Sequence, residues 1–104
     1  MPTYKAPVED ALFLINDVFH LERYGNLPGF AEATSDTIEA ILREAAKLSE
    51  EVLTPLNRVG DVEGCTRRDD GSVTTPKGFK DAYGKIVEGG WIGMSVPEEF
   101  GGQG

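Results

Sequence analysis

Few residues in this chain have side chains that readily do chemistry. His20 is the single histidine and Cys65 the single cysteine. A Ser/His/Asp arrangement would have to run through His20, and nothing around it suggests one, so it reads as a packing or surface residue of a helix. His20-Leu21-Glu22 has the H-x-E spacing of zinc deaminases, but no paired cysteines follow to complete a ligand set. Cys65 stands near Arg67 and Arg68, and such cations favour a thiolate. No second thiol or nearby histidine joins it, and it reads as an inert loop cysteine. One cysteine excludes an intrachain disulfide, and one cysteine with one histidine is too few for a Cys/His metal site. Asp69-Asp70 and Glu98-Glu99 are adjacent pairs, so their carboxylates diverge into solvent and do not face one site. Gly89-Gly90-Trp91-Ile92-Gly93 follows a helical stretch, whereas a nucleotide loop needs strand, glycine turn and helix N-terminus in that order. No G-x-x-x-x-G-K-[ST] occurs. No catalytic, cofactor-binding or metal-ligating residue is assigned from these patterns.

The elements that would carry such residues are constrained by composition. The chain has 104 residues, 39% hydrophobic and 27% charged, a size that supports one modest core. Phe, Leu, Ile and Val make up 26 of the 104, too many for a disordered chain. Lys plus Arg is 10 against 18 Asp plus Glu, a net charge of −8. That balance argues against nucleic acid and against anionic membrane surfaces, and no apolar run is long enough to span a bilayer. Met1-Pro2-Thr3-Tyr4-Lys5 has no secretory-signal pattern, which together with the lone cysteine implies a reduced, cytoplasmic protein.

Three helical stretches alternate with Gly/Pro-marked linkers. The first runs from Pro7, suited to a first helical position, to Phe19, with Glu9 and Asp10 in the opening turn. Val8, Ala11, Leu12, Leu14, Ile15, Val18 and Phe19 recur at helical spacing, with room to continue through His20, Leu21 and Tyr24 before Gly25-Asn26-Leu27-Pro28-Gly29 stops it. The second runs from Asp36 to about Val59, capped by Ser35 or Asp36, with Asp36 and Glu39 at capping-box spacing. Its stripe comprises Ile38, Ile41, Leu42, Ala45, Leu48, Val52, Leu53, Leu56 and Val59; Pro55 should kink it and Gly60 should close it. Residues 61–75 read as a loop with a turn at Asp70-Gly71, Val73 being at most an isolated extended residue. The third stretch runs from Pro76 to about Glu88, capped by Thr75 and ended by Gly89-Gly90. Phe79, Tyr83 and Trp91 are expected in the core. The fold class is therefore all-α, a small helical bundle. The apolar, glycine-dense end at Gly104 reads as a cut.

One segment is more specific than any of this. Gly90-Trp91-Ile92-Gly93-Met94-Ser95-Val96-Pro97-Glu98-Glu99-Phe100-Gly101-Gly102-Gln103-Gly104 resembles the G-[LW]-x-G-x-x-x-P-E-x-x-G-G-x-G segment of flavin-dependent acyl-CoA dehydrogenases, with Gly90, Trp91, Gly93, Pro97, Glu98, Gly101, Gly102 and Gly104 in register. Upstream, Val52-Leu53-Thr54-Pro55-Leu56-Asn57, the loop through Cys65, and Pro76 with Gly78-Phe79 look like the same domain. Tyr4-Lys5-Ala6-Pro7 to Phe19 is similar to the extra N-terminal segment of a larger bacterial subgroup. The resemblance implies that residues 1–34 are an N-terminal extension with one helix and a Gly/Pro linker. Residues 35–104 would be the N-terminal helical domain of that fold, truncated at its Gly-rich end and lacking the β-domain and C-terminal helical domain. It implies FAD, acyl-CoA and an electron-transfer flavoprotein for the full-length enzyme, which would be a homo-oligomer, with no FAD on this piece. Glu98 and Glu99 match the loop motif and not the family's catalytic glutamate. Two other readings stand beside it: a stand-alone acidic helical interaction module, and a fragment of an acyl-CoA oxidase-like flavoenzyme of the same fold.

Overall fold

The computed structural model describes residues 3–104; Met1 and Pro2, part of the N-terminal reading above, lie outside them. The chain is mostly helical, as expected. It divides into two compact units, Tyr4–Glu50 and Glu51–Gly104.

In the first unit, α1 (Val8–Leu12) passes directly into a π-helical turn, Phe13–Val18. Pro7 precedes the helix as its cap residue and is not its first helical residue. The run does not continue through His20. That residue has φ +50°, a left-handed conformation that ends the helix, and Leu21–Tyr24 is a separate 3₁₀ turn. The Phe19 N–H reaches back to the Leu14 carbonyl (2.8 Å), one residue further than an α-helix would reach. Helix α2 (Ser35–Lys47) is capped by Thr34, not by Ser35 or Asp36: the Thr34 Oγ1 accepts from the Thr37 N–H (3.3 Å). The Ser35 hydroxyl is used elsewhere, donating to Asn16 Oδ1 (3.3 Å).

The second unit contains α3 (Thr54–Glu63), a two-strand hairpin and α4 (Phe79–Glu88). A π-helical turn, Leu48–Leu53, leads into α3, and Pro55 sits in the helix's first turn. Proline cannot donate four residues back, and its ring crowds the carbonyl there. The chain meets that constraint by a wider turn ahead of the proline, where the sequence implied a kink within one α-helix. Gly60 does not end the helix. The Gly64 N–H closes on the Gly60 carbonyl (3.0 Å), and Gly64 (φ +60°) is the terminator. Gly60 instead makes room for Phe79: a Cβ there would lie 2.7 Å from the ring's Cζ.

Residues 66–74 are also more ordered than a loop. Strand β1 (Thr66–Arg67) pairs antiparallel with β2 (Val73–Thr74), Thr66 opposite Thr74 and Arg67 opposite Val73. The Asp70-Gly71 turn forms as expected, with Gly71 at φ +87° and its N–H on the Arg68 carbonyl (3.0 Å). Helix α4 begins at Phe79 and not at Pro76. Pro76 is buried in the preceding turn, and Gly78 (φ +87°) leads in, its α-carbon so close to Leu56 that a Cβ would sit 2.8 Å from Cδ2. Glu88 is the last helical residue, followed by Gly89-Gly90 as anticipated.

The expected core is much reduced. Among the described residues, Leu12 in one unit and Ala82 in the other are the buried hydrophobic side chains. Phe79 and Tyr83 are exposed and Trp91 is half-buried, so the aromatic core foreseen from the α4 stripe is not closed. The periodicity correctly marked an apolar face; α3 approaches it at Phe79 and buries Ala82, while Tyr83 stays exposed.

Candidate functional site

The segment that carries the sequence motif folds into a loop closed by its own backbone. Pro97 leads into a 3₁₀ turn, Glu98–Phe100, which Gly101 ends at φ +85°. The Gly102 N–H donates to the Pro97 carbonyl (3.2 Å), Gln103 N–H to Gly93 (3.0 Å) and Gly104 N–H to Val96 (3.0 Å). At Gly102 the backbone runs against Val96 so closely that a Cβ would fall inside the Val96 carbonyl group. Gly90 takes φ +75° with the Gln103 side chain over it; a Cβ there would be 2.6 Å from Nε2. At Gly89 the missing side chain leaves space for the Trp91 indole. Gly90, Gly101 and Gly102 thus each answer a local geometric demand, and Gln103, which the sequence did not single out, is the side chain that fills the space beside Gly90.

This geometry also decides what the glycines do not do. A phosphate cradle needs N–H groups aimed outward at the anion. Here the N–H groups of Val96, Phe100, Gly101, Gly102, Gln103 and Gly104 are all donated to carbonyls of the same loop. These six donors are therefore not available to an anion such as a flavin pyrophosphate.

Beside the loop in sequence, α3 and α4 form an open apolar groove of about 240 Å³, lined by Leu53, Leu56, Phe79, Ala82, Tyr83 and Ile86, with Asn57 as its polar member. Tyr83 is 61% exposed at its edge. The Tyr4–Glu50 unit has a larger cleft of about 430 Å³ against α1 and α2, in which several lining charges are paired. Arg43 binds Glu9 (2.9 Å) and Glu39 (2.7 Å), and the hydrogen bond to Glu9, then that to Glu39, holds its guanidinium above the ordinary arginine range. The Glu50 carboxylate accepts the Ala6 N–H (2.8 Å) and has the Lys5 ammonium at 3.7 Å. Glu39 and Arg43 are four residues apart on one face of α2.

The residues weighed for chemistry stay apart. His20 Nδ1 stands 3.6 Å from Glu22 and is exposed; Cys65 is exposed beside the hairpin. Asp69, Asp70, Glu98 and Glu99 are exposed, and Asp70 is occupied by Ser72. Among the described residues no cluster of His, Cys, Asp or Glu could hold a metal ion, and no helix is long and apolar enough to cross a membrane.

The sequence is similar to part of an acyl-CoA dehydrogenase. The relative is 3-methylmercaptopropionyl-CoA dehydrogenase of Ruegeria pomeroyi (strain ATCC 700808 / DSM 15171 / DSS-3), 37% identical over 102 residues. The alignment covers 98% of this chain and 17% of that protein, so the chain spans about a sixth of the relative's length. No protein-family model matches the chain. The resemblance read from the sequence therefore holds along nearly all of it.

Proposed function

We propose that this chain is the N-terminal helical domain of an FAD-dependent acyl-CoA dehydrogenase, the domain that walls one side of the acyl pocket and packs on the β-domain. The whole enzyme would introduce an α,β double bond into an acyl-CoA thioester. A general base removes the α-proton and FAD supplies the hydride acceptor, both held by parts of the protein outside these 104 residues. Electron-transfer flavoprotein would reoxidise the enzyme, which would be a cytoplasmic homo-oligomer. The observation that carries the reading is the 37% identity along 98% of the chain to a dehydrogenase of which it spans 17%.

The first test is the intact mass of the protein in its native source. A chain several hundred residues longer, with bound FAD and acyl-CoA-dependent reduction of an electron acceptor, is the expected result. A native chain ending at Gly104 would overturn the proposal. The 104-residue piece alone is expected to retain no flavin through purification, and stoichiometric flavin on it would count against this division of labour.

A further inference from the structure

We draw no further inference here: the strongest candidate, the open apolar groove between α3 and α4 lined by Leu53, Leu56, Phe79, Ala82, Tyr83 and Ile86, carries nothing because nothing in the structure shows what covers it.

Discussion

Two glycines show how differently the same residue type behaves. Gly84 lies inside α4 without a left-handed φ, and a Cβ added there meets nothing within 4 Å. Gly84→Ala should therefore stabilise the chain by about 1 kcal/mol through helix propensity alone. Gly102 has no such freedom, since a Cβ would overlap the Val96 carbonyl, which is backbone and cannot swing aside. Gly102→Ala should open the loop, and exchange protection of the Gln103 and Gly104 amides should fall while α4 keeps its own. Urea denaturation and amide hydrogen exchange read both variants; equal effects at the two sites would sink the argument. Asp70 adds a pH dependence. Its carboxylate accepts from the Ser72 hydroxyl (2.7 Å) and the Ser72 N–H (2.9 Å), the hydroxyl having the larger effect, and its pKa lies below the usual 3.8. Because the folded value is the lower one, the turn's contribution is complete above pH 3.8 and disappears as pH falls through the folded pKa. Titration followed by the Ser72 amide resonance should show the turn unchanged at neutral pH and weakening only in strong acid. Asp70→Asn should abolish that transition.

At the scale of elements, packing of α3 on α4 sets the Phe79 ring over Gly60. Gly60→Ala improves helix propensity by about 1 kcal/mol. It also drives a methyl to 2.7 Å from Phe79 Cζ, an overpacking that typically costs about 1–3 kcal/mol. The net expectation is a loss of about 1 kcal/mol. In a Phe79→Ala background the clash is gone and the same substitution should become stabilising by about 1 kcal/mol. This change of sign, measured as a double-mutant cycle in urea, separates a packing glycine from a helix terminator. The distinction explains what was legible in the sequence. The helical periods, the Asp70-Gly71 turn and the end at Gly89-Gly90 depend on neighbours in the chain and were readable there. Gly60 answers a ring brought in by a later helix, which no local rule reports. Likewise, apolar spacing of three and four residues suits both α and π turns, so Leu48–Leu53 reads as α-helix until Pro55 is seen to sit in the first turn of α3. In the glycine loop the register of the motif was visible, whereas the approach of Gly102 to Val96 exists only once the loop has closed.

The whole molecule shows large apolar side chains to solvent: Tyr83 is 61% exposed, Ile92 61% and Phe100 74%. Apolar surface of this extent favours association, since each contact removes it from water. The net charge of −8 opposes association, and salt screens that repulsion over a Debye length of about 10 Å at 0.1 M. Salt removes the repulsion and leaves the apolar attraction in place, so association should strengthen as salt is added. The apparent mass of the 104-residue chain by light scattering should rise with concentration and rise further with added salt. Tyr83→Lys with Phe100→Lys should return it toward the monomer. That double substitution adds two positive charges to the net −8, which on electrostatics alone would promote association. A fall in apparent mass can then come only from the lost apolar contacts. A chain that stays monomeric at every salt concentration, or a double variant that associates more strongly than the parent, would overturn the assignment of these side chains as the associating surface.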